Sequence, residues 1–130
     1  MRKIIIAGSA TFYKEAYEMK KELEKKNYFV IDYPKKIDES IEIEYKQAYE
    51  RFYNSMSETD DLLLLNLDKK GIEGYIGYES FAELSYLVVK KIQVDKDHKI
   101  YIYKLPSKEV GCYEEIMHFL ELGYIELYKL

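Results

Sequence analysis

The stretch GYIGYESFAELSYLVVKK, Gly74 to Lys91, places one carboxylate where two kinds of chemistry meet. Two glycines and two tyrosines fill its first five residues, and the run that follows has helical spacing with Glu83 one turn into it. Glu83 admits a local role. Ser80 and Glu83 form S-x-x-E before an apolar helix, the capping-box pattern in which the glutamate reaches back to the N-cap amide. Glu83 also admits a chemical role. When a glycosidic bond breaks, positive charge develops at the anomeric carbon, and a carboxylate beside it can stabilise that charge or attack to give a glycosyl ester. On a helical wheel Phe81, Leu84, Ser85 and Val88 share one face, which sets Glu83, Tyr86, Leu87 and Lys90 off the main packing stripe.

The elements that would position Glu83 are legible in the hydrophobic pattern. KIIIAG (Lys3 to Gly8) is a short β-branched run closed by glycine, as expected of a strand buried on both faces. Phe12, Ala16, Met19 and Leu23 recur at helical intervals and predict a helix ending near Asn27. YFVIDY (Tyr28 to Tyr33) predicts a second strand stopped by Pro34, and Ile43, Ala48, Phe52, Tyr53 and Met56 a second helix after the polar KKIDES segment. DLLLLNLD (Asp61 to Asp68) predicts a third buried strand, KIYIYKL (Lys99 to Leu105) a fourth, Tyr113 to Leu122 a fourth helix, and GYIELYKL a short fifth strand. This alternation predicts one α/β domain over residues 1–130: a doubly wound, five-stranded parallel sheet of order 2-1-3-4-5, with helices on both faces. Ligands of such sheets bind at the carboxyl ends of the strands, at the switch between strands one and three. The loops there are GSATF and NLDKKGIEGYIGYES, and the second contains the approach to Glu83.

Several chemistries lack their residues. AGSATFYKE carries neither the dinucleotide G-x-G-x-x-G nor the P-loop pattern, although the Ser9, Ala10 and Thr11 amides could meet an anion, with Thr11 as an ordinary N-cap the alternative. Ala7 and Gly8 stand where a receiver domain would need acidic residues, and there is no G-x-S-x-G elbow. A single cysteine, Cys112, excludes an internal disulfide; with only His98 and His118 besides, neither a metal nor another cofactor is expected. The net charge of −4, with both signs interspersed, argues against nucleic-acid polymers and anionic membranes as partners. The apolar run near the N-terminus is too short for a signal-peptide core, so a cytoplasmic, soluble protein is expected. The 15 tyrosines favour strands, core edges and subunit contacts.

AGSATF after the first strand, LLLLN in the third, and above all GYIGYESFAELSY resemble the nucleoside 2-deoxyribosyltransferase-like family, small flavodoxin-like proteins that cleave the N-glycosidic bond of nucleosides or nucleotides. The order and spacing of these motifs match over nearly the whole chain. The resemblance implies that Glu83 is the nucleophile, with Ser80 three positions before it beside the substrate. It further implies that Gly8 and Ser9 line the substrate site with Phe12 against the base or sugar, and that Asn66 and the Gly74 to Gly77 turn belong to the site as in a branch carrying N…GYIG. One departure bears on the reaction. The transferases have an aspartate six positions before the glutamate, contacting the sugar, where this chain has Gly77. That is compatible with a branch that hydrolyses nucleoside 5′-monophosphates, or with lost activity. No donor for the leaving base is assigned: Asp32, Asp38 and Asp68 lie in loops or at strand ends suited to it, and each equally reads as an ordinary solvated loop residue.

The expectation is therefore N-glycosidic cleavage of a nucleoside or nucleoside 5′-monophosphate, by transfer or hydrolysis. Two alternatives share the crevice: a non-catalytic nucleotide-binding or sensing domain, and a TIR-like NAD glycohydrolase. A homodimer or higher homo-oligomer is also expected, because tyrosines and the apolar second face of the third helix (Tyr86, Leu87) call for cover and members of the family complete their sites across subunits.

Overall fold

The first strand is buried on both sides, as its sequence requires. Ile4, Ile5, Ile6 and Ala7 are fully buried, and alternate residues enter different core layers. The computed structural model describes residues 1–36 and 42–129; Asp38 and the side chain of Ile43 lie outside the described part. Its elements are β1 (Arg2–Ala7), α1 (Tyr13–Lys25), β2 (Tyr28–Asp32), α2 (Glu42–Met56), β3 (Asp61–Leu64), α3 (Tyr78–Gln93), β4 (Lys99–Ile102), α4 (Tyr113–Glu121) and β5 (Glu126–Leu127). All neighbouring strands pair in parallel, in the order β2-β1-β3-β4-β5, which is the flavodoxin-like arrangement. Among the described residues no helix is long and apolar enough to cross a membrane.

The two layers are unequal. On one side Ile5, Leu62, Leu64, Ile100 and Ile102 pack under α2, α3 and α4 through Met56, Leu84, Leu87, Val88 and Ile116. On the other, Ile4, Ile6 and Leu63 pack against α1 through Ala16, Met19 and Leu23. Beyond the reach of α1, the half-buried Tyr101, Tyr103 and Tyr128 roof this second layer, and the Lys26 ammonium donates to the Tyr128 hydroxyl at 2.9 Å. Tyrosine suits that duty because its ring excludes water while its hydroxyl stays solvated. Leu87, expected on an uncovered face of α3, is instead fully buried in the core. The exposed apolar stripe of that helix is Tyr78, Tyr86, Val89 and Ile92.

Two strands are shorter than their apolar runs, for one reason. β3 stops at Leu64 rather than Asp68, and β4 at Ile102 rather than Leu105, because Asn66 substitutes a side-chain amide for the ladder. Its Oδ1 accepts from the Tyr103 and Lys104 amides at 2.9 and 3.2 Å, and its Nδ2 donates to the Lys104 and Gly74 carbonyls at 2.7 and 3.4 Å. Gly74 fits this clamp only as glycine. Its φ is +62°, and an added Cβ would lie 2.7 Å from the Leu105 oxygen and 2.8 Å from the Pro106 Cα, both backbone atoms that cannot swing away.

Asn66→Ala leaves the Lys104 amide and the Lys104 and Gly74 carbonyls without this partner, while the Tyr103 amide keeps the Leu64 carbonyl at 3.0 Å, and each buried orphan costs on the order of 1–3 kcal/mol. We expect Asn66→Ala and Gly74→Ala each to lower the unfolding free energy by about 2–4 kcal/mol in a urea titration. A midpoint within error of the parent protein for either variant would contradict the clamp.

Candidate active site

The crevice at the switch between β1 and β3 is a cleft of about 460 Å³, closed laterally by α2 and the start of α3. Its first wall is the loop after β1. Gly8 brings the chain close under β3, where an added Cβ would stand 3.1 Å from the Leu65 oxygen. The next residue caps a short 3-10 turn, Ala10–Phe12: the Ser9 hydroxyl accepts from the Thr11 amide at 3.2 Å, so the cap is Ser9 and not Thr11. Lys69, from the loop after β3, donates to the same hydroxyl at 3.1 Å and lies over the Tyr75 ring at 5.3 Å. A cation and a hydroxyl thus converge on one wall.

The opposite wall is the first two turns of α3, which begins earlier than the capping-box pattern predicts. Gly77 is the N-cap, with φ −77° and ψ 165°, and its carbonyl accepts the first helical bond, from the Phe81 amide at 3.0 Å. Ser80 is therefore the third helical residue and Glu83 the sixth, too far along to reach an N-cap amide. The expected Ser80–Glu83 capping box does not form. The tight Gly74 to Gly77 segment supplies the helix start instead, and Glu83 is left with no capping duty.

Glu83 faces inward beside Leu84 and Leu87 and is 9% exposed, yet it lines the cleft. Among the described residues its carboxyl has no hydrogen-bond donor. Burial, and then the negative charges of Glu79 and Asp32, push it up to about 8 from its ordinary 4.5. The carboxyl is consequently protonated at neutral pH. Tyr53 of α2 is raised too, by burial and then by the charges of Glu83 and Glu79.

A third wall comes from β2 and α2. Asp32, 1% exposed at the end of β2, accepts from the Arg51 Nε at 3.2 Å, the Lys35 ammonium at 3.1 Å and the Tyr33 amide at 2.8 Å. Asp32 is thereby consumed in holding Arg51 and Lys35 on the rim of the cleft. Tyr49 and Phe52 of α2 add aromatic surface, and Tyr49 stacks on Tyr53 at 6.4 Å between ring centres. Among the described residues no group of three His, Cys, Asp or Glu side chains converges where a metal ion could be held.

The fold brings together five of the seven site residues expected from the sequence: Gly8, Ser9, Gly77, Ser80 and Glu83 line the cleft. Phe12 does not; it is buried at the base of the 3-10 turn, outside the lining. Asn66 does not either, because all its hydrogen-bonding capacity goes to the backbone clamp. Nor can Asp32 or Asp68 protonate a leaving group from the cleft. Neither lines it, and Asp68 holds Lys104 and the Gly74 amide, which lower its pKa. Sequence reasoning missed Lys69, Arg51, Lys35 and Glu79. Glu79 was visible one turn before Glu83, whereas Arg51 and Lys35 join the site only through the packing of α2 against β2.

The sign of the Glu83 shift gives a test. Between about pH 4.5 and 8 the folded chain holds a proton at this group that the unfolded chain has lost, so stability falls as pH rises through that window. Glu83→Gln removes the titration. We expect the melting temperature of Glu83→Gln, minus that of the parent, to grow by several degrees between pH 5 and pH 9 in parallel melts. A difference independent of pH would refute burial of an ionisable carboxyl.

Compared with known proteins, the chain matches no family model, no curated protein and no solved structure.

Proposed function

We propose that this protein cleaves the N-glycosidic bond of a nucleoside or nucleoside 5′-monophosphate, with Glu83 as the nucleophile. One observation carries the reading: a carboxyl that is nine-tenths buried, has no partner among the described residues, and faces a nucleoside-sized cleft at the topological switch. Burying an ionisable group without a partner costs stability, and such groups cluster where chemistry uses them. The surroundings suit the substrate class. Tyr49, Phe52 and Tyr75 offer ring faces to a base, while Lys69 with the Ser9 hydroxyl offers polar contacts to a phosphate or sugar.

The step balances simply. A Glu83 oxygen bonds to the anomeric carbon as the C–N bond breaks; the bonding pair leaves with the base nitrogen, which takes up a proton, and water or a second base then displaces the carboxylate. No metal or redox group is called on. Gly77 leaves the sugar hydroxyls without the aspartate of the resembled transferases, which favours water as acceptor and a phosphate as the second recognition element. The same reading takes a second copy of the chain as macromolecular partner, seated on the exposed stripe of Tyr78, Tyr86, Val89 and Ile92 that begins at the cleft mouth.

Base release from a panel of nucleosides and nucleoside 5′-monophosphates, followed by chromatography, tests the reaction. The parent protein should release base, and Glu83→Gln should lose at least about 10³-fold while remaining folded. Cleavage retained in Glu83→Gln would remove the nucleophile assignment. A nucleotide that binds and is recovered intact after long incubation would support a binding or sensing domain, and nicotinamide release from NAD as the only activity a glycohydrolase of the TIR-like kind. A single sedimenting species of 15.6 kDa at micromolar concentration would remove the oligomer.

A further inference from the structure

We propose that Glu79 is the second catalytic carboxylate of the cleft, the group that carries a proton to the leaving base and then draws one from the attacking water. This rests on the glycosidase reading of Glu83 and supplies what that reading lacks. A neutral base is a poor leaving group, and the proton it needs must come from a side chain within reach. Among the described residues, the aspartates that the sequence suggested, Asp32 and Asp68, do not line the cleft. The carboxylates that line the cleft are Glu79 and Glu83.

Their spacing on α3 is i and i+4, one turn apart on the same face, and both line the one cleft. Two neighbouring carboxyls are what double displacement uses, one attacking the anomeric carbon while the other serves first as acid and then as base. Their environments differ as such roles require. Glu83 is buried in the cleft wall, whereas Glu79 stands exposed in the first turn of α3, open to solvent. Among the described residues the groups facing them are the Asp32 carboxylate from β2, Arg51, Tyr49 and Tyr53 from α2, Tyr33 and Lys35 beyond β2, Lys69 and Tyr75 from the loop after β3, and Tyr78 of α3 itself. Lys69 is bonded to Ser9, and Arg51 and Lys35 are bonded to Asp32.

Glu83 itself supplies the proton. It is protonated up to about pH 8, and it must lose that proton to become a nucleophile. Transfer to Glu79 leaves an anion at Glu83 and an acid at Glu79, with the total charge unchanged. Glu83 then attacks the anomeric carbon, the C–N bond breaks toward the base, and the Glu79 proton ends on the base nitrogen. In the second half Glu79 takes a proton from water, the hydroxyl bonds to the anomeric carbon, and the Glu83–sugar bond breaks toward the carboxylate. The products are the protonated base and the free sugar or sugar phosphate.

The pH dependence follows with opposite signs for two classes of leaving group. An ordinary purine needs the pair to hold one proton, so kcat/KM for an adenine nucleotide should be level at neutral pH, where Glu83 is protonated and Glu79 can accept its proton, and fall above about pH 8. A 7-methylguanine substrate leaves without protonation and needs only the Glu83 anion, so its kcat/KM should rise through the same pH. Glu79→Gln separates this role from a structural one. It should cost at least about 100-fold on the adenine substrate and less than about 10-fold on 7-methylguanine, measured as base release in a single turnover. It should also move the 7-methylguanine profile to lower pH, because the Glu79 charge helps hold the Glu83 proton.

Equal losses of Glu79→Gln on both substrates, or no loss on either, would overturn the assignment while leaving Glu83 as nucleophile. Absence of base release from either substrate by the parent protein would instead overturn the glycosidase reading on which it rests.

Discussion

The amide of one buried asparagine governs the geometry on which the rest of this protein depends. Asn66 sits where β3 would otherwise continue, and its side chain bonds to the backbone leaving β4 and to the Gly74 carbonyl. Those bonds end two strands early and fix the loop between Leu67 and Gly77 against the sheet. Asp68 adds a tie from the same loop, accepting from the Gly74 amide at 2.9 Å and from Lys104 at 2.8 Å. The start of α3 is therefore set by tertiary bonds rather than by a capping side chain, since Gly77 offers none. A helix placed this way can bury its sixth residue in a cleft wall, because nothing local dictates where that residue points.

What the clamp presents there is costly to the fold. Glu83 shares the inward face of α3 with Leu84 and Leu87, positions that in a purely structural helix would be apolar. The protein keeps the group neutral over much of the pH range, surrounding it with desolvation and with two further carboxylates rather than with a cation. The cations that line the cleft are bonded to other groups, Arg51 and Lys35 to Asp32 and Lys69 to Ser9. Placing a cation against Glu83 would have relaxed the strain and ionised the group. Among the described residues none acts on it, which preserves a carboxyl whose charge can change when a ligand enters.

The tyrosines belong to the same economy of a small domain. With α1 the helix packed on the second layer, Tyr101, Tyr103 and Tyr128 close the sheet over β4 and β5, doing with rings and solvated hydroxyls what a further helix would do with aliphatic side chains. Others, Tyr33, Tyr49, Tyr75 and Tyr78, gather at the cleft. A composition that looked undirected thus divides between a structural layer and the rim of the site.

The sequence by itself determined the sheet. Runs such as KIIIA and DLLLL are apolar on both faces and alternate with amphipathic helices, and right-handed parallel crossovers leave few orders for five strands; the order 2-1-3-4-5 follows from pattern and chirality. It also located the crevice, and Glu83 within it, because the switch point is a property of topology. The tertiary structure alone decided which polar groups were free to serve the site. S-x-x-E is a valid local signal for a cap, yet the clamp at Gly74 started the helix earlier and cancelled it. Asn66 and Phe12 had plausible places in the cleft and were consumed by the backbone and the core, while Lys69, Arg51 and Glu79 entered it from separate elements. The physical reason is one of range. Periodicity and chirality act between neighbours in the chain, whereas the partner a buried polar group finds depends on which distant backbone atoms the packing brings within hydrogen-bond reach.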